Sequence, residues 1–216
     1  MNRPDINLAQ PAVQLGLFSL IGLGLLALIH AATGERIAAN QRAELLQSLE
    51  ALMPKASFDN DVLADVISIR DERLGTNEPV TVYRARREGQ PVAAILTAVA
   101  PDGYNGGITL LVALRPDGEL AGVRVLEHHE TPGLGDLIDA SKSGWIRRFE
   151  GSSLLNPAAP RWRVKRDGGD FDQFTGATIT PRAVVGAIYK ALLVFKDRGD
   201  ELFRVTGPGT QSILQP

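Results

Sequence analysis

Residues 79–127 read PVTVYRARREGQPVAAILTAVAPDGYNGGITLLVALRPDGELAGVRVLE. Pro79–Arg87 and Pro91–Ala100 are rich in β-branched and small apolar residues, and Glu88-Gly89-Gln90 between them has hairpin composition. Ile108–Arg115 and Leu120–Glu127 flank a second turn, Pro116-Asp117-Gly118-Glu119. The stretch predicts an antiparallel meander, with Pro101–Gly107 (PDGYNGG) as a glycine-rich connection. Working outward, Pro181–Lys196 (PRAVVGAIYKALLVFK) predicts the clearest helix, with Val184, Val185, Ile188, Ala191, Leu192 and Phe195 on one face. Short helices are expected at Leu134–Ala140 and Trp145–Phe149, and an edge strand at Arg161–Arg166 (RWRVKR). The fold class is α+β with a mainly antiparallel sheet.

Toward the N-terminus the character changes. From Ile6 to Gly34 there is no Asp, Glu, Lys or Arg. Ala12–Ala32 (AVQLGLFSLIGLGLLALIHAA) would span roughly 31 Å as a helix, about the hydrocarbon thickness of a bilayer. It predicts one membrane-spanning helix at 12–32, in contact with lipid. A cleaved signal peptide is the alternative, but Ile29 and His30 spoil a small-x-small site before Ala31 and Ala32. Charge orients the segment weakly, with Arg3 on one side and Arg36 and Arg42 on the other. Residues 33–56 predict an amphipathic stalk helix, with Ile37, Leu45, Leu49, Leu52 and Met53 at helical spacing and Pro54 ending it. Residues 57–205 form the remaining domain, and 206–216 a polar tail.

The 216 residues carry 23 Lys+Arg against 25 Asp+Glu, so no basic excess suggests nucleic acid. With no cysteine, thiolate-held iron–sulfur clusters, disulfides and cysteine nucleophiles are excluded. His30, His128 and His129 are the only imidazoles, and adjacent strand residues point to opposite faces, so no metal site is expected. Redox chemistry by this chain needs an organic cofactor. No nucleophile elbow, Walker sequence or dinucleotide-binding glycine pattern occurs.

Phe171–Arg182 (FDQFTGATITPR) is the best candidate site. Pro181 suits the first position of the helix, which makes Thr180 the expected N-cap. Thr178 then lies where free N–H groups and the helix dipole favour an anion such as phosphate. The same residues would also serve as an ordinary capped helix start. His128–Leu137 (HHETPGLGDL) is a second candidate, because Gly133 and Gly135 let backbone approach a flat ring closely. Its bland alternative is a tight strand-to-helix turn. Tyr104 either stacks on a ring or caps the core, Trp145 and Trp162 suit core positions, and Lys165 has the reach for a phosphate. The cations of Arg84-Ala85-Arg86-Arg87 are expected on solvated strand faces.

The run Thr175-Gly176-Ala177-Thr178, with Asp172 upstream and Thr180 beyond, resembles the flavinylation sequence of the FMN-binding domain family. A Gly-Tyr-x-Gly loop at Gly103–Gly106, Glu-Thr-Pro-Gly-Leu-Gly at Glu130–Gly135 and Trp145 follow in family order. The resemblance covers nearly the whole chain. Chain length and the His128–Gly135 stretch look most like the G subunits of Rnf-type ion-translocating electron-transport complexes. The C subunits of sodium-pumping NADH:quinone reductases are the alternative, as is a flavin-free anchored scaffold of the same fold.

The resemblance implies FMN joined through a phosphoester to Thr178 by the flavin transferase ApbE, with Asp172 in the recognition sequence. Residue 175 is Thr where the family more often has Ser, leaving a second hydroxyl beside the motif. The cofactor site would comprise Thr175, Gly176, Ala177, Thr178 and Thr180, with Glu130, Thr131, Gly133, Leu134, Gly135, Tyr104, Trp145 and Lys165 around the ring. The implied function is a covalent FMN electron carrier, an electron-transfer subunit among other membrane subunits of an Rnf-type complex and not a free-standing enzyme. The implied topology is a single-pass protein of the bacterial inner membrane, with residues 1–11 cytoplasmic and the flavin domain periplasmic.

Overall fold

The computed structural model describes residues 9–204 and 213–214. The expected cytoplasmic segment therefore lies mostly outside the described residues, as does the tail apart from Ile213 and Leu214.

Helix α1 runs unbroken from Ala9–Leu52. Its Ala12–Gly34 portion is long and apolar enough to cross a membrane. Large apolar side chains from Val13 to Ile29 are exposed all around it, the pattern expected when the solvent is lipid. The chain divides into two compact units, Met1–Leu45 and Leu46–Pro216. The stalk expected at 33–56 is the same helix continued, and it stops at Leu52 because the residue before Pro54 disfavours helical backbone. Of its expected apolar face, Ile37 is exposed while Leu49, Leu52 and Met53 are buried.

The second unit is built on a sheet. Its strands are β1 Val66–Ile69, β2 Val80–Arg87, β3 Gln90–Gly103, β4 Gly106–Leu114, β5 Leu120–Glu127 and β6 Ile213–Leu214. Their order is β5-β4-β3-β2-β1-β6. The pairs from β1 to β5 are antiparallel and β6 joins the edge parallel to β1. The meander is thus as the sequence predicts, with β1 added. The glycine-rich connection is shorter than its composition suggests, since β3 and β4 extend to a tight tip at Tyr104-Asn105.

Helix α2, Ile179–Phe203, covers one sheet face. Val82, Leu96, Val112 and Val123 of the strands share a core with Val184, Ile188 and Leu192 of the helix. Tyr83, Ile95, Ala113 and Gly122 follow one another across the register on the opposite face. A Cβ on Gly122 would come within 3.0 Å of Leu52 Cδ2, so the last turn of α1 lies against that face. Arg124 Nη2 donates to the Ala51 carbonyl at 2.8 Å, satisfying an orphan acceptor of the helix end.

Arg84 and Arg86 are not on solvated strand faces, contrary to expectation. Both are buried. Arg86 donates to the Phe203 carbonyl at 3.0 Å and Arg84 to that of Arg204, and Asp65 pairs with both guanidinium groups. Cations are favoured at a helix C-terminus, where carbonyls lack partners.

The expected edge strand at Arg161–Arg166 is also absent. Ala159–Arg161 and Lys165–Asp167 are 3₁₀ turns. Trp162 and Phe171 are both buried, so the chain between them doubles back. Its backbone bonds to itself, with Asp170 N donating to Arg161 O at 3.0 Å and Lys165 N to Phe171 O at 2.7 Å. Gly169 has no room for a Cβ, which would meet the Arg163 carbonyl oxygen at 1.8 Å. The expected helices at Leu134–Ala140 and Trp145–Phe149 are 3₁₀ turns, Gly135–Ile138 and Trp145–Phe149.

Phe149 anchors this side of the unit. It stacks on Phe171 at 4.5 Å between ring centroids and meets Trp145 edge-on at 5.2 Å. Phe149→Ala should destabilise the second unit by about 3–5 kcal/mol, the usual cost of removing a fully buried aromatic ring. Denaturant unfolding of the full chain in detergent, followed by near-UV circular dichroism, measures it.

Candidate flavin site

Three segments of the chain meet beside the N-terminus of α2. The first is the β3–β4 tip. The second is the loop after β5, where Gly133 (φ +77°) lets the chain turn so that the N–H groups of Leu134 and Gly135 both reach the Thr131 carbonyl at 3.1 Å. The third is the turn before α2, in which Gly176 (φ +83°) brings Ala177 N to the Phe174 carbonyl at 3.2 Å.

Glu130 joins them. Its side chain is buried, its Oε1 accepts from Asn105 N at 3.2 Å, and its Oε2 accepts from Thr180 Oγ1. Both oxygens thus have a donor, so neither is left buried without a partner. Two glycines bring backbone close against it. A Cβ on Gly135 would lie 2.6 Å from Glu130 Oε2 and 2.8 Å from Thr180 Oγ1, and one on Gly103 would lie 2.9 Å from Glu130 Oε1. Asn105 Nδ2 adds a bond to Thr131 Oγ1 at 3.3 Å.

This contact changes the assignment of the helix start. The sequence points to Thr180 as N-cap, but α2 begins at Ile179 and Thr178 occupies the cap position. Thr180 sits one position inside the helix, and its hydroxyl serves Glu130. Pro181 falls third instead of first, which costs nothing because the first four N–H groups of a helix have no internal partner. The side chain of Thr178 does not cap the helix, and it is half-buried.

Tyr104, Glu130, Thr131, Leu134, Gly135, Gly176, Ala177, Thr178 and Thr180 line a single cavity of about 280 Å³. Ile179, which no motif marks, lines it too. Its place next to Thr178 in the first turn is the only signal for it in the sequence. Tyr104 (65% exposed), Leu134 (42%) and Ile179 (45%) present apolar surface there. Tyr104 therefore caps no core. A larger cavity of about 800 Å³ runs along the C-terminal half of α2 and the Pro116–Gly118 turn, and none of the motif residues line it.

The other expected residues lie near the cavity without lining it. Thr175 and Gly133 belong to the two turns. Trp145 is buried beneath the third segment, with Nε1 donating to the Asp172 carbonyl at 2.7 Å and its ring edge-on to Phe174 at 5.2 Å. Lys165 Nζ pairs with Asp172 at 2.6 Å, and Arg148 pairs with the same carboxylate. The first turn of α2 is tied to the Lys165–Asp167 turn by a two-pronged bond from Arg182 to Asp167, at 2.6 and 2.9 Å.

A cavity with Tyr104, Leu134 and Ile179 exposed at its rim, glycines at two of its turns and a helix N-terminus beside it has the shape and polarity that a nucleotide with a flat ring would fit. The FMN-binding domain model matches residues 103–193, and the model described as RnfG N-terminal region matches residues 1–52. The chain is 49% identical over 197 residues to the G subunit of the ion-translocating oxidoreductase complex of Pseudomonas aeruginosa strain UCBPP-PA14, covering 91% of this chain and 92% of the relative. It is 48% identical over 190 residues to the same subunit from Shewanella loihica (88% and 90% covered) and 43% identical over 194 residues to that from Vibrio cholerae (90% and 93%). The chain belongs to the family of G subunits of ion-translocating oxidoreductase complexes.

The packing at two glycines sets opposite expectations. Gly135→Ala should force apart the Glu130–Thr180 contact and cost about 1–3 kcal/mol of stability. Gly186→Ala, in the middle of α2 with nothing within 4 Å of its Cβ, should instead stabilise by about 0.5–1 kcal/mol. Thermal unfolding of both variants tests the opposite signs. Separately, the Arg182 hydrogen bond holds the Asp167 carboxyl below its usual 3.8. A depressed folded value means that the pair's stabilisation is present above the ordinary aspartate range and is lost as pH falls through the folded value. Arg182→Gln should return the Asp167 carboxyl toward 3.8, read by side-chain NMR titration.

Proposed function

We propose that Thr178 carries FMN through a phosphoester, and that this chain is a membrane-anchored electron carrier within an ion-translocating oxidoreductase complex. The observation that carries the reading is the position of Thr178. It lies at the start of α2, lines the cavity, and has a hydroxyl not engaged in capping. A phosphate joined there meets the N–H groups of Ile179 and Thr180 and the positive end of the helix dipole. Thr175 lies outside the cavity lining, which favours Thr178 over it for attachment. Tyr104, Leu134 and Ile179 would hold the ring, and Gly135 and Gly176 would let backbone approach it.

FMN supplies one- and two-electron chemistry when bound, and the chain supplies orientation and environment. Small-molecule sites are usually cavities of about 300–1,000 Å³ that bury most of the ligand. This one is at the lower limit, so part of the flavin stays at the surface within reach of partner subunits. Electrons pass between neighbouring proteins, with no soluble substrate required.

ApbE would install the cofactor, with Asp172 in its recognition sequence. The Asp172 carboxylate is fixed by Lys165 and Arg148 at the exposed end of the loop, so Lys165 acts on the loop and not on the phosphate. The Ala12–Gly34 portion of α1 anchors the chain in the inner membrane with the flavin domain in the periplasm.

Coexpression with the transferase, followed by denaturing electrophoresis under ultraviolet light, tests the attachment. Wild-type protein and Thr175→Ala should give a fluorescent band, and Thr178→Ala should give none. Intact mass should show one FMN, and peptide mapping should place it on Thr178. A dark wild-type band would sink the covalent reading, and a band lost only in Thr175→Ala would move the site.

A further inference from the structure

We propose that Glu130 sets the reduction potential of the flavin held in this cavity, acting as a fixed negative charge that opposes electron uptake. The inference rests on the FMN reading above and adds to it a role for one side chain. Glu130 is 5% exposed, yet it lines the cavity together with Tyr104, Leu134 and Thr178. The other cavity-lining side chains are uncharged. Both carboxylate oxygens accept hydrogen bonds, from Asn105 N and Thr180 Oγ1, which hold the side chain in one place. Gly103 and Gly135 press backbone against it, so the charge cannot swing away.

The loop of Glu130 also carries His128, whose Nδ1 accepts from Glu130 N at 3.1 Å, and the buried Asp136, neither of which lines the cavity. The cations in this region face other acids. Lys165 and Arg148 are engaged by Asp172, and Arg182 by Asp167. Each electron added to the ring adds negative charge, and the Glu130 carboxylate repels it in a partly desolvated site. A proton taken up with the electron would offset that repulsion. The carboxylate thereby lowers the potential and strengthens its dependence on pH. A structural tie alone would require only the two hydrogen bonds, for which an uncharged acceptor at one oxygen and a glutamine amide at the other would nearly suffice.

The test uses the full-length chain in detergent, loaded with FMN by coexpression with the transferase. Spectroelectrochemical titration gives its potential over a range of pH. Glu130→Gln keeps the shape and removes the charge. It should favour reduction by about tenfold or more, which for a two-electron couple is about 30 mV. It should also flatten the pH dependence. Glu130→Asp keeps the charge while breaking the geometry, and it should stay within about threefold of wild type.

Equal shifts in both variants, or no shift in Glu130→Gln, would overturn the proposal. A folded Glu130→Gln chain that takes up no flavin would make Glu130 a loading residue and would also overturn it. If Glu130→Gln does not fold, Glu130→Met decides, since it removes the charge at similar side-chain length without placing an amide donor against Asn105 N. It should raise the potential, and an unchanged value would overturn the proposal. A wild-type chain without flavin would instead defeat the FMN reading itself, so the two failures are distinguishable.

Discussion

The buried carboxylate of Glu130 is the constraint from which the site is built. It bonds to the β3–β4 tip through Asn105 and to α2 through Thr180, while it belongs to the loop that follows β5. Segments separated by 25 and 50 residues are thereby held to one point. The requirement spreads outward. A Cβ at residue 135 would enter the carboxylate's space, and one at residue 103 would meet both the Gly106 carbonyl and the carboxylate. Thr180 must sit inside the helix to reach it, which moves the cap to Thr178 and turns that residue toward the cavity. A buried acceptor left without donors would cost more than either hydrogen bond contributes, so the three segments stay together or the site is lost.

The opposite end of α2 is fixed by the same kind of chemistry with the signs reversed. At the N-terminus a carboxylate receives a hydroxyl from the first turn. At the C-terminus Arg84 and Arg86 donate to the carbonyls of Arg204 and Phe203, and Asp65 balances their charge. Between these ends the helix packs on Leu96 and Val112 at the centre of the sheet. The position of Thr178 is therefore set by the whole length of α2 and not by its loop alone. The Arg182–Asp167 pair adds a third restraint, on the flank of the first turn.

The sheet and α2 are legible in the sequence because their signals are periodic. Alternation between Pro79 and Glu127 specifies the meander, and the apolar spacing from Val184 to Phe195 specifies the helix face. Thr178 and the Glu130–Gly135 turn are legible as a motif, which marks residues but not their contacts. What escapes is decided by tertiary partners. Arg161–Arg166 has the alternation of a strand, but burial of Trp162 and Phe171 folds it into turns. Arg84 and Arg86 look like surface cations until the end of α2, more than a hundred residues later, is placed over them. Thr180 has the credentials of a cap, and only the proximity of Glu130 assigns its hydroxyl elsewhere.

The small volume of the cavity and the tether proposed at Thr178 are linked. Holding a nucleotide by burial alone requires enough enclosed surface to offset the translational and rotational freedom lost on binding. A cavity of about 280 Å³ with Tyr104, Leu134 and Ile179 exposed around it encloses little. The bond proposed at Thr178 would remove the need, because the cofactor could not diffuse away whatever its noncovalent affinity. The rim residues would then have only to orient the ring, and its edge would stay open to a neighbouring protein. A deep pocket would hold FMN without a bond but would bury the path by which electrons enter and leave. In a chain without cysteine, and so without thiolate-held clusters of its own to extend that path, access to the ring from outside is the property the site most has to preserve.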